Sequence, residues 1–214
     1  MPSLPGICAS NANKVLTDFI RTGVYDRRRP LLKTTSPSMD ILVSSNLERL
    51  LYLMTLDTEF VASCMAQLTD RGHYALPGAL TEQIQSHFWA DWCDDAAAAQ
   101  TIARVFAREH YLCDPHTAAG WYAAENYVNQ TGDQTPMVVL STASPYKFPA
   151  VVLAAIGQEA QGDEFHQMEQ LEAASGVPIP GNLSRLRQKR ERHPDVIARD
   201  QMLSYVINRE NPLG

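Results

Sequence analysis

Long apolar runs are missing from this chain of 214 residues, and no stretch reads as long enough to span a bilayer. The opening MPSLPGICAS has neither the basic start nor the apolar segment of a signal peptide, so no membrane partner is expected. Cysteine is sparse. Cys8, Cys64, Cys93 and Cys113 are widely spaced and form no C-x-x-C pair, which argues against a zinc knuckle, any other metal site or a disulfide framework and makes a cytoplasmic setting the simplest. There is no excess of positive charge. The formal net charge of -6 argues against a surface built for nucleic acid. The runs Arg27–Arg29 and Arg185–Arg192 read as solvated faces, without the aromatic interleaving of a nucleic-acid surface. No internal repeat recurs, which excludes a solenoid.

What is present describes a folded protein. Apolar residues make up 45% of the chain and charged residues 20%, ordinary values for a globular domain with one sizeable core. The most informative stretch is Met137 to Pro149, MVVLSTASPYKFP. Four apolar residues, Met137–Leu140, predict a short strand buried on both faces, the kind found in parallel sheets. Ser141 and Thr142 then place two hydroxyls beyond its carboxyl end, where open α/β sheets hold ligands. Ser144 as N-cap and Pro145 as first residue predict a helix running to Gly157, with amides and Lys147 at its start able to attract an anion.

Elsewhere the pattern predicts a strand near Leu4–Ala9, then a helix capped by Ser10 or Asn11 and stopped at Gly23. Ser45 or Asn46 should cap a helix that buries Leu47, Leu50, Leu51 and Met54. From Asp57 to Glu109 the chain reads as helical. Asp57 caps one segment, Thr81 starts a second containing Phe88, Trp89 and Trp92, and Asp94 or Asp95 caps a third. Asp114 as N-cap, Pro115 and the small face Ala118, Ala119, Ala123 and Ala124 describe a tightly packed helix. His116 in its first turn should be neutral, with catalytic and structural roles both open. A polar helix from Asp163 to Gly176 and a final helix from Pro194 close the chain. Two or three strands are expected, below the usual number for a sheet, and their exposed edges invite homodimerisation.

Four strings carry a resemblance. ASNANKVLTDFIRTGVYDR, TTSPSMDILVSSNLERL, CDPHTAAGWYAAENYV and STASPYKF resemble, in order, motifs of the threonine synthases, pyridoxal-phosphate lyases of fold type II. The resemblance covers most of this chain but only the C-terminal half of the family's. It implies an α/β fold, a partial fold type II architecture like the tryptophan synthase β chain, with short parallel strands and many helices. The organisation it suggests is a start of the α/β core at 1–45, a helical insertion at 46–112, and the remainder of the core with C-terminal helices at 113–214.

The activity implied is threonine biosynthesis: O-phospho-L-homoserine and water giving L-threonine and phosphate, with pyridoxal 5'-phosphate as cofactor. Thr142 would hydrogen-bond the pyridine nitrogen, with Ser141 beside it, and a hydroxyl partner leaves that nitrogen unprotonated. Lys147, Asn11, Ser38, Asp40 and His116 are the substrate-binding candidates. No catalytic residue is assigned in this chain, because Lys14, Lys33, Lys147 and Lys189 all lie outside the F-K-D context of the family's Schiff-base lysine. The expectation is therefore a truncated or split enzyme, inactive alone, whose partner is the missing N-terminal half. The alternatives are a non-catalytic regulatory remnant and another fold type II lyase of the threonine dehydratase kind.

Overall fold

A computed structural model describes residues 5–209. Strand β1 (Gly6–Ser10) leads into α1 (Val15–Thr22), which stops at Gly23 in the left-handed region, and β2 (Val24–Asp26) follows. Only glycine fits at the stop: φ is 73°, and a Cβ would run into the Thr81 side chain. Next come α2 (Leu47–Thr55), α3 (Thr58–Arg71), β3 (His73–Ala75) and α4 (Gly78–His87). Strand β4 (Phe88–Trp92) precedes α5 (Asp95–Glu109) and α6 (Pro115–Thr131). After a long extended segment, α7 (Pro149–Ala155) and α8 (Glu164–Ser175) complete the first of two compact units, residues 1–179. The second unit, from Pro180 onward, holds α9 (Gly181–Ser184) and α10 (Met202–Arg209) and is largely exposed.

Among the described residues the strands form two sheets of two. β1 and β4 pair in parallel, Gly6 opposite Phe88 and Ser10 opposite Trp92, while β2 and β3 pair antiparallel. The class is α/β with mostly helices and a short parallel pair. The core gathers Phe19, Tyr25 and Tyr74 with Leu51, Cys64 and Ile84. Tyr25 stacks on Tyr74 at 5.5 Å and Phe19 meets both edge-on. No helix among the described residues is long and apolar enough to cross a membrane.

Four of the expected caps form, whereas Asn46 precedes α2 without a side-chain cap bond and the helix expected from Thr81 begins at Gly78. Asp57, Asp94, Asp114 and Asp163 each accept a backbone amide at a helix start. Asp95 instead holds the Thr35 amide and hydroxyl. Further expectations need correction. Met137–Leu140 joins no sheet among the described residues, and Val138 and Leu140 are 88% and 74% exposed, because no described strand lies beside it. Pro145–Lys147 is a single 3-10 turn and the helix restarts at Pro149. Pro149 has no amide for a bond back to residue 145, so a continuous helix would break there. Ser10 ends β1 and Asn11 accepts the Asn13 amide in a local turn, so neither caps α1. Phe88, Trp89 and Trp92 lie in β4, where β1 offers a ladder to residues of high strand propensity. At the end of the chain, Pro194–Ala198 stays non-helical and the helix begins at Met202, after a 3-10 turn at Arg199–Gln201. The expected strand at Leu4 falls at its start outside the described residues.

Candidate active site

One carboxylate organises the centre of the first unit. Asp114 is fully buried, and its Oδ1 accepts both the backbone amide of His116 at 2.9 Å and the ring Nδ1–H at 2.8 Å. Its other oxygen accepts the Thr117 hydroxyl. Burial works to raise this carboxyl, but the hydrogen bonds from His116 and Thr117 outweigh it and hold it below the usual carboxylate range. On the far side of the ring, Nε2 accepts the Ser38 backbone amide at 3.2 Å. With one nitrogen donating and the other accepting, His116 is the neutral Nδ1–H tautomer. Thr117 Oγ1 then accepts the Thr142 amide at 3.3 Å, so the same carboxylate positions Thr142 at second hand.

A second buried knot places Ser38. Asp40 Oδ1 accepts from Asn11 at 2.8 Å, Asn13 at 2.9 Å and the Thr34 hydroxyl at 2.7 Å, and its Oδ2 accepts the Thr34 amide at 3.0 Å. Partial burial pulls the Asp40 carboxyl upward, yet these bonds prevail and its pKa is lowered. Asn11 is buried and also reaches Ser36. The loop from Thr34 to Asp40 is thereby tied to the β1–α1 junction, and the 3-10 turn Pro37–Met39 presents the Ser38 amide to His116.

These groups meet at a cavity of about 690 Å³. Ser38, His116 and Thr142 supply its polar side; Gly6, Ile7 and Ala9 of β1, and Met137 to Leu140 opposite, supply its apolar walls. Gly120 and Ala124 keep the α6 face low. The Thr142 hydroxyl makes no hydrogen bond to the described residues. Asn11 and Asp40 therefore support the site from behind, and Ser141 stands just outside the lining as acceptor of the Tyr111 hydroxyl at 2.7 Å. Lys147 is exposed in the 3-10 turn and is not brought to the cavity, and the short helix beyond it offers no anion site of its own. Sequence reasoning missed Thr117, Thr34 and Asn13. The D-P-H-T string at Asp114–Thr117 was the available signal for the first; Asn13 and Thr34 lie inside the ASNANK and TTSPSMD strings but were not singled out there as site residues. The cavity suits a planar aromatic ring, with apolar walls and one unpartnered hydroxyl, but no lysine lines it.

A short parallel strand pair walled by helices, with hydroxyls and an imidazole gathered at one end, defines an α/β ligand-binding region. Residues 117–203 match the family model "Threonine synthase, C-terminal". The chain is 38% identical to "Threonine synthase-like 1" of Homo sapiens over 91% of this chain and 26% of that protein. It is 33% identical to the threonine synthase of Pseudomonas aeruginosa over 97% of this chain and 41% of that one. The crystal structure of PLP-bound threonine synthase from Brucella melitensis superposes with a TM-score of 0.72 at 35% identity, covering 89% of this chain and 36% of that one. The chain thus spans about a quarter to two fifths of the length of the relatives it matches. It is a threonine synthase-like C-terminal region.

Proposed function

We propose that this region forms one wall of a pyridoxal-phosphate cleft in a lyase that converts O-phospho-L-homoserine and water to L-threonine and phosphate. The observation that carries the reading is Thr142: its amide is anchored by Thr117 and its hydroxyl is unpartnered on the wall of a cavity large enough for the cofactor ring. Thr142 would hold the cofactor's ring nitrogen through that hydroxyl, a neutral partner that would make the ring a milder electron sink than a carboxylate would. The cofactor, when bound, supplies the electron sink for phosphate loss and water addition. His116, with Nε2 taken by Ser38 and Nδ1 by Asp114, holds the wall in register and keeps a neutral ring beside the substrate. The apolar walls exclude water from the reacting carbons. The amine that captures the cofactor comes from the N-terminal half of the enzyme, and a reducing compartment such as the cytoplasm suits four free thiols.

The test pairs this chain with the N-terminal half of a threonine synthase. Thr142→Val in the assembled enzyme should shift the cofactor absorbance band and lower kcat at least tenfold. An unchanged spectrum with unchanged turnover would remove the residue from the mechanism. Pyridoxal phosphate and borohydride added to the chain alone should label no lysine; stable labelling with threonine formation would overturn the incomplete-site reading. The lysine-free lining favours one second reading, a non-catalytic remnant that keeps the half-fold. Failure of the assembled pair to bind cofactor would select it.

A further inference from the structure

Burial does not explain Tyr111. It stands in the linker between α5 and α6, where Leu112, Cys113 and Asp114 are buried, yet it is itself 39% exposed. An aromatic ring left that far in water gains little from the hydrophobic effect, so its polar end is the informative part. The Tyr111 hydroxyl donates to Ser141 Oγ at 2.7 Å, across 30 positions of chain. The next residue is Thr142, whose amide donates to Thr117 Oγ1 at 3.3 Å. The peptide joining Ser141 to Thr142 is thus gripped on both sides, by Tyr111 through the side chain before it and by Thr117 through its own N–H. A planar peptide leaves only two soft dihedrals per residue, so bonds on both sides of it restrict the direction in which the Thr142 hydroxyl leaves the chain.

The two grips are built differently. Thr117 is buried and donates to Asp114. Tyr111 is braced from outside the cavity, whose lining it does not join. His110 ends α5 in the left-handed region at φ 53°, a conformation uncommon outside glycine that surrounding contacts must sustain. The Tyr111 ring then stacks on Trp121 of α6, with centroids 6.4 Å apart and planes 23° from parallel. Trp121 Nε1 donates to Glu125 Oε1 at 3.1 Å, and the same oxygen accepts Arg104 of α5. A continuous series of contacts, Arg104 to Glu125 to Trp121 to Tyr111, therefore ends on the Ser141 hydroxyl.

From this arrangement we infer that Tyr111 is a positioning residue for Thr142, acting through Ser141, and that Trp121 with the Arg104–Glu125 pair holds Tyr111 in place. Ser141 and Thr142 are both exposed, so without the tyrosine hydroxyl water takes its place on Ser141 and the Thr142 hydroxyl spreads over several directions. Thr117 alone then fixes the Thr142 amide and leaves the residue before it free to turn. The consequence for turnover rests on the cofactor role proposed for Thr142; the hold on its backbone does not.

The first measurement uses the chain without cofactor. Tyr111→Phe keeps the ring and its stack and removes only the donor. Amide hydrogen exchange at Thr142 should quicken about fivefold, with exchange in α6 and the urea midpoint unchanged. Unchanged exchange at Thr142 would overturn the inference. The second measurement uses the chain assembled with the N-terminal half of a threonine synthase and pyridoxal phosphate. Tyr111→Phe should lower kcat about fivefold with KM altered by less than about twofold, and should move the cofactor absorbance band toward that of Thr142→Val. Ser141→Ala removes the acceptor of the same bond, so the double variant should be no slower than Ser141→Ala alone. Additive losses would overturn the inference, as would an unaltered kcat and spectrum in Tyr111→Phe where Thr142→Val changes both. If exchange quickens yet neither Tyr111→Phe nor Thr142→Val alters the spectrum, the hold on Thr142 stands and its cofactor role falls.

Discussion

The backbone amide of Ser38 donates to Nε2 of His116 over 3.2 Å, although the two residues lie 78 positions apart in the chain. That bond and the one from Nδ1–H to Asp114 leave the imidazole no free nitrogen. Nitrogen NMR of the chain should therefore show the Nδ1–H tautomer, with Nε2 as the acceptor. Asp114→Ala removes the helix cap and the acceptor of two further donors at a fully buried site, so it should cost about 2 kcal/mol or more in urea unfolding. A loss near zero would show that the carboxylate does not organise the site.

Acid should destabilise the first unit through two carboxyls. Asp40 and Asp114 both have folded-state pKa values below their ordinary 3.8. Their contribution is fully present above that ordinary value and is lost as pH falls through the lowered folded values. Denaturation midpoints measured from pH 6 downward should fall below about pH 4, and Asp40→Asn should flatten that decline. An equally steep curve in the variant would place the acid sensitivity elsewhere.

Tyr74 buries a hydroxyl that has no hydrogen-bond partner among the described residues, while its ring stacks on Tyr25. Tyr74→Phe keeps the stack and discards an unsatisfied polar group, so stability should rise by about 1 kcal/mol. A drop in the thermal midpoint would mean that the hydroxyl finds a partner in solution.

The thiols should be unreactive until the fold opens. Burial pushes Cys8 up to about 11 and Cys93 and Cys113 up to about 12, and Cys64 is raised by the same cause. At pH 8 a disulfide reagent should titrate less than one equivalent from the native chain and all four thiols in guanidinium. Rapid native labelling of any one would reveal local opening around it.

How much of this was legible in the sequence depends on the reach of each interaction. Asp57, Asp94, Asp114 and Asp163 cap helices with amides two or three residues away, and Gly23, Gly72 and Gly176 stop them by their own backbone freedom. Such features are written locally. FWADW failed as a helix because its strand partner, GICAS, lies some 80 residues earlier. Asn13 and Thr34 were overlooked for a related reason: they are ordinary polar residues until Asp40 gathers them.

The order of the motifs, the caps and the likeness to the threonine synthases were determined by the sequence alone, since each is carried by neighbours or by matching strings. Tertiary structure decided that Asp114 governs both His116 and Thr142, that Lys147 stays outside the cavity, and that MVVL pairs with no described strand. The physical reason lies in the partner. A cap is completed within one turn of chain, whereas a strand or a buried carboxylate takes its meaning from groups that only folding brings beside it.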